Sequence, residues 1–175
     1  MQRDDYHDRR LAEYDQRIAQ LLQRRTFGEA AMTVALEEAR RGALEGEVPI
    51  GAIVVIDHRV VSATHNLPVG LRDPTAHAEM LAIREAAAQV DEYRLPEASL
   101  YVTLEPCVMC IGAIVNARIA KVYYGARDPK AGALGSVYDI GRDGRLNHRI
   151  EVYGGILAEE SARMLREFFE SRRRG

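Results

Sequence analysis

The two cysteines of the chain, Cys107 and Cys110, both lie in the stretch Glu105-Pro106-Cys107-Val108-Met109-Cys110. Thiols at i and i+3 share one face of a helix, so the pair can grip one ion. It can equally close on itself as a redox couple. Two sulfurs do not complete a zinc site, because a catalytic zinc takes three protein ligands and keeps a fourth position for water. Five histidines could supply the third ligand: His7, His58, His65, His77 and His148. Only His77 sits in a run, Pro74-Thr75-Ala76-His77-Ala78-Glu79, where a carboxylate follows two residues later. Residues i and i+2 inside a helix point roughly 200° apart. For His77 and Glu79 to face one ion, His77 must therefore stand at a first turn. Three chemistries stay open at this point: a hydrolytic metal centre, a thiol redox protein, and a zinc-dependent RNA-binding or scaffold module. The last has no need of a proton carrier such as Glu79.

Several elements must position these groups. Leu11, Tyr14, Ile18, Leu21 and Leu22 form a helical stripe that predicts an N-terminal helix docked on the main domain or on a partner. Residues 27–46 read as a second helix. Residues 49–66 read as a hairpin turning at Asp57-His58. In residues 71–90, Asp73-Pro74-Thr75 has helix-start chemistry, Pro74 suits the first turn, and Met80, Ile83 and Ala87 share a face. Residues 98–104 alternate as a strand, with Leu100, Val102 and Leu104 on one side. That strand runs into Pro106-Cys107 and a helix over 108–117. A strand at 119–125, a glycine-punctuated loop at 125–136, a strand at 148–155 and a helix at 157–174 complete the order. Helices interleaved with strands in this way predict an α/β sandwich around a mixed sheet. Cys107 and Cys110 then stand where a strand gives way to a helix, whose N-terminal end favours thiolates.

Composition narrows the class. At 175 residues with 47% apolar and 29% charged content, one soluble globular domain is expected. No apolar run approaches the roughly 18–20 residues of a membrane span. The first twenty residues mix acids with bases and lack a secretory pattern. The expected compartment is the cytoplasm, where a structural disulfide is disfavoured. Net charge is −2, but residues 111–150 carry seven Lys or Arg against three Asp, and the chain ends Arg172-Arg173-Arg174-Gly175. Such asymmetry can mark a face for phosphates or a solvated basic surface. The 125–136 loop is not a phosphate-binding P-loop, since Lys130 lies between the glycines in the wrong order.

His-x-Glu followed by Pro-Cys-x-x-Cys is the signature of the zinc nucleobase deaminases. Five ordered blocks carry the likeness further: NLPVGLRDPTAHAEM, LYVTLEPCVMCIGAI, YYGARDPKAGALGS, LNHRIEVYGGILAEE and REFF. They resemble the corresponding blocks of bacterial tRNA-specific adenosine deaminases, over about residues 27–175. The departure is an extension of roughly 26 residues at the N-terminus. The resemblance implies a deaminase domain over 27–175, and the apolar stripe makes residues 1–26 an N-terminal helical extension to it. The fold it implies is a three-layer α/β/α cytidine deaminase-like sandwich with a mixed five-stranded sheet.

The activity implied is hydrolytic deamination of adenosine to inosine at the wobble position of a tRNA anticodon loop. In that reading His77, Cys107 and Cys110 hold one Zn²⁺ per chain, and Glu79 shuttles protons for a zinc-activated water. Asn66 hydrogen-bonds the target nucleoside and the Ala78 backbone N–H meets the reacting edge of the base. Without the resemblance, Asn66 reads as a turn residue before Pro68. Arg127, Asp128 and Lys130 would contact RNA, with Asp128 accepting a ribose 2′-OH, and Phe168, Phe169 and Arg172–Arg174 could contribute. At least one of the two adjacent phenylalanines is expected in the core. The implied partners are a tRNA anticodon stem-loop and a second copy of the chain, with no membrane. A deaminase of a free purine such as guanine is the alternative.

Overall fold

The computed structural model describes residues 2–174 and the side chains of residues 7–173. Met1, Gly175 and the Arg174 side chain, which the sequence reading included, lie outside them. The elements are α1 (Gln2–Leu21), α2 (Phe27–Leu44), β1 (Gly51–Ile56), β2 (Arg59–His65), α3 (Pro68–Leu71), α4 (Ala78–Val90), β3 (Ser99–Leu104), α5 (Val108–Asn116), β4 (Lys121–Ala126), β5 (Glu151–Gly154) and α6 (Ala158–Arg174). The strands form one mixed sheet in the order β2-β1-β3-β4-β5. β1 is antiparallel to β2 and β3, whereas β3, β4 and β5 run parallel.

Local chemistry sets the element boundaries. A capping box between Thr26 and Glu29 starts α2. The hairpin turns where expected, with Asp57 and His58 both at positive φ (49° and 62°), as tight two-residue hairpins require. Alternation along β3 then sorts side chains to two cores. Leu100 and Val102 join α4 and α5, while Tyr101 joins α1 and α2. Tyr101, Tyr123 and Tyr153 stand opposite one another on β3, β4 and β5 and stack at 4.4 and 4.7 Å. Such cross-strand pairs help hold register.

Several expectations need correction. Pro74 is not in a helical turn: it lies in a turn closed by Asp73, and α4 starts four residues later. The proline that does open a helix is Pro68, at the start of the unforeseen α3. The buried face of α4 is Ala78, Glu79, Ala82, Ile83 and Ala86, with Met80 and Ala87 only half-buried. Small residues carry that face because the helix lies close on the sheet. Leu104 is half-buried at the end of β3, and Leu22 is exposed just beyond the end of α1.

α1 packs on its own chain. Leu11, Tyr14 and Ile18 are buried against α2, β1 and β2. Two of its side chains also serve the edge strand. Asp15 accepts the Val60 N–H at 2.8 Å, and Arg10 donates to the Ala63 carbonyl at 2.7 Å. Edge strands carry unpaired backbone groups that invite association, and α1 covers part of this one.

The closest approach in the sheet is at Gly51. A Cβ there would stand 2.0 Å from the Ala35 carbonyl oxygen of α2. That oxygen and the Ala39 nitrogen, 2.6 Å from the same point, both belong to the backbone of α2, so neither can swing away. Gly51→Ala is expected to destabilise the protein by about 3 kcal/mol or more, the upper end for overpacking. Denaturant melts of the variant check this.

Candidate metal centre and active site

Two helix N-termini meet at the site. His77 is the N-cap of α4, with φ −70° and ψ 151°, and Cys107 is the N-cap of α5, with φ −80° and ψ 174°. His77 thus takes the first-turn place that its geometry with Glu79 demands. Cys110 lies in the first turn of α5 and is fully buried. The path to Cys107 is short: β3 ends at Leu104, and Glu105 and Pro106 turn the chain into α5.

The three donor atoms form a compact triangle. Cys107 Sγ and Cys110 Sγ are 3.7 Å apart, and His77 Nδ1 lies 3.7 Å from the first and 3.6 Å from the second. Tetrahedral zinc, with bonds of about 2.3 Å to sulfur and about 2.0–2.1 Å to nitrogen, would need edges of about 3.8 Å between sulfurs and about 3.6 Å from sulfur to nitrogen. The observed edges match both. Among the described residues this is the one cluster of three or more His, Cys, Asp or Glu side chains with donor atoms so grouped.

Electrostatics agrees with the donor set. The hydrogen bond from Cys110 draws the Cys107 thiol down to about 3, whereas the hydrogen bond to Cys107, with burial, pushes Cys110 up. The sulfurs compete for negative charge in a confined space, a conflict that a divalent cation relieves. The Cys107 sulfur raises the His77 pKa despite burial. Glu79 is 4% exposed, and burial pushes its carboxyl up.

Asn66 is buried one residue beyond β2, and its Oδ1 accepts the Ala78 N–H at 2.8 Å. The N-cap His77 makes no side-chain cap of its own, and the Ala78 N–H is taken by Asn66. With Oδ1 so used, the amide NH₂ is the donor that Asn66 has left.

One important residue escaped the sequence reading. Glu105 is 2% exposed and accepts from the backbone N–H groups of Asp128 (3.2 Å), Leu134 (2.9 Å) and Ser136 (3.1 Å), and from the Ser136 hydroxyl. It organises the whole 127–136 loop beside the cysteines. Its partners lie 23 to 31 positions away, so no local pattern could reveal it. Within that loop Arg127 and Lys130 are exposed, and Asp128 Oδ1 accepts the Lys130 N–H at 2.9 Å.

The terminal helix differs from expectation. Neither phenylalanine is core: Phe168 is half-buried beneath the Arg172 guanidinium at 4.8 Å, and Phe169 is 47% exposed. α6 packs on β4, β3 and α2, with Ser161 its one fully buried residue among those described. Arg172 donates to the Gly46 carbonyl, which folds the basic end of α6 toward the α2–β1 turn.

Comparison with known proteins agrees with this geometry. Residues 25–126 match the family described as the cytidine and deoxycytidylate deaminase zinc-binding region. The tRNA-specific adenosine deaminase of Haemophilus influenzae is 46% identical over 151 residues, covering 86% of this chain and 87% of that protein. A solved structure from a study of A-to-I editing by tRNA:A34 deaminases at the wobble position is 47% identical with a TM-score of 0.75. It covers 77% of this chain and 98% of its own. A guanine deaminase from Nitrosomonas europaea shares the fold at 28% identity and a TM-score of 0.68, covering 80% of this chain and 83% of its own. The metal triangle, the buried carboxylate beside it and these matches over most of each chain agree: the chain belongs to the cytidine and deoxycytidylate deaminase zinc-binding family, in its tRNA-specific adenosine deaminase branch.

Proposed function

We propose that the chain deaminates adenosine to inosine at the wobble position of a tRNA anticodon loop. The observation that carries the reading is the 46% identity to a tRNA-specific adenosine deaminase across 86% of the chain, against 28% to a guanine deaminase. His77, Cys107 and Cys110 would hold zinc. Zinc bound there supplies Lewis acidity and a water more acidic than bulk.

The remaining work falls to the chain's own groups. Glu79 takes the proton from the attacking water. It delivers that proton to N1 of adenine as the water oxygen bonds to C6. It then carries the remaining proton of that oxygen to the C6 amino group, which leaves as ammonia as the C6–N bond breaks and the carbonyl forms. Its burial suits this role, because desolvation raises the proton affinity of the carboxylate. Asn66, held through Oδ1, offers its NH₂ to the nucleoside. Burial of these groups keeps bulk water from competing with the hydrogen bonds that orient the base.

RNA would approach over the 127–136 loop. Arg127 and Lys130 would meet phosphates, and Asp128 keeps Oδ2 for a ribose 2′-OH. Exposed Phe169 and half-buried Phe168 could stack on bases, as single-stranded RNA recognition often requires. Arg172 braces the terminal helix through Gly46 and so presents these rings. A base in a loop leaves its stack at lower cost than one in a duplex.

The same reading includes a cytoplasmic homodimer. No helix among the described residues is long and apolar enough to cross a membrane. Val108 of α5 is 45% exposed, and one turn on, Gly112 has nothing within 4 Å of where a Cβ would stand. A second copy could approach this side of α5 closely. Ile111, Ile114 and Val115 of the same helix are core.

Three outcomes are expected. Assayed side by side, an anticodon stem-loop is converted to its inosine form while guanine and free adenosine are not. Preferential turnover of guanine would instead select the free-purine reading. Glu79→Gln keeps bound zinc by metal analysis and loses about 10²–10⁴-fold in turnover, the share usual for a positioned acid-base group. Gly112→Glu shifts the protein toward a monomer in sedimentation, since a charge would stand in the contact.

A further inference from the structure

α1 lies ahead of the family match, which begins at residue 25, and the deamination chemistry makes no demand on it. It nonetheless reaches the end of β2, on the α2 face of the sheet, through three side chains. The Tyr14 hydroxyl donates to Glu38 Oε1. Glu38, fully buried on α2, faces His65 Nδ1 with its other oxygen at 3.0 Å. His65 Nε2 meets Glu45 Oε2 at 3.3 Å. The ring also lies against α2 at Gly42, where a Cβ would stand 3.1 Å from it. His65 is the last residue of β2 and is followed directly by Asn66.

Both imidazole nitrogens face carboxylates. Both bonds require both N–H groups, which only the imidazolium has. Burial works against that charge, but the bonds to Glu38 and Glu45 outweigh it and hold the His65 pKa above the ordinary imidazole range. Charged hydrogen bonds in a buried setting are strong and directional. The end of β2 is thereby clamped to α2, and α2 to α1.

We propose that Tyr14, Glu38 and His65 form a positioning chain for Asn66, so that the N-terminal helix belongs to the substrate-orienting apparatus. This rests on the reading of Asn66 as the residue that holds the nucleoside. Asn66 has two anchors of its own: its N–H bonds the Ile50 carbonyl at 3.0 Å, and its Oδ1 holds the Ala78 N–H. The ladder pairs His65 with Gly51 and so leads the chain to Asn66, and the His65 side chain ties that same strand end to α2. A group that orients substrate must itself be held by packed, hydrogen-bonded neighbours. Tyr14, Glu38 and His65 are positioning residues.

The test compares Tyr14→Phe, His65→Gln and Asn66→Ala on the anticodon stem-loop, with zinc content and melting temperature measured for each. Tyr14→Phe keeps the buried ring and removes only the hydroxyl. Asn66→Ala is expected to lower kcat/KM by more than about tenfold, His65→Gln by about tenfold, and Tyr14→Phe by about threefold to tenfold, the range for one lost hydrogen bond. Zinc content and the folded fraction at assay temperature stay unchanged. In the doubly substituted proteins, Tyr14→Phe and His65→Gln add little to Asn66→Ala, because all act through one group. The proposal is overturned if Asn66→Ala is impaired while the other two retain full kcat/KM. Losses that simply add to that of Asn66→Ala, or that track a loss of folded, zinc-loaded protein, overturn it as well. Full activity of Asn66→Ala would remove the role of Asn66 itself, and the positioning chain with it.

Discussion

The site depends on two helix N-termini brought to one point. α4 and α5 follow β2 and β3 on the same side of the sheet, and each begins with a residue in extended conformation, His77 and Cys107. An N-cap side chain is aimed back past the helix end, where the backbone N–H groups and helix dipole favour negative charge. Two sulfurs and an imidazole nitrogen therefore meet in a field that supports thiolates, at separations suited to tetrahedral zinc. The position of α4, the close packing of α2 and the loop after β4 all serve this convergence.

That placement needs rigid support on both faces of the sheet. On one face, alanines along α4 allow it to lie close to β1 and β2. On the other, Gly51 allows α2 to touch the backbone of β1. Close-packed interiors transmit displacement instead of absorbing it. The positions of Asn66 and His77 are thus fixed by contacts made several elements away. Buried polar groups act in the same way. Glu105 gathers a loop through four donors, and Glu38 joins α1, α2 and β2. Each such carboxylate is costly to bury unless its partners are in place, so each enforces one arrangement.

Fold and site were unequally legible in the sequence. The hairpin at Asp57-His58, the strand into Pro106-Cys107 and the helices either side were readable because turn chemistry and periodicity are local. His77 and the two cysteines could be singled out because their types and spacing are uncommon in a chain with two thiols. The four-residue α3 was invisible, since its single turn has no periodicity to detect. Pro74 misled because Asp-Pro-Thr starts a turn as readily as a helix. The phenylalanines of α6 misled because apolar type alone does not say whether a helix is covered along its whole length.

What the sequence determined by itself was the chemistry on offer: two thiols, one imidazole followed by a carboxylate, and an order of strands and helices that makes a mixed sheet. Tertiary structure alone decided that donors thirty residues apart share one triangle, that the Ala78 N–H belongs to Asn66, and that α1 reaches His65 through Glu38. The reason is physical. Residue type and local spacing set which bonds a group can make, whereas the partner of a buried polar group is chosen by whichever distant segment the packing of the sheet and helices carries to it.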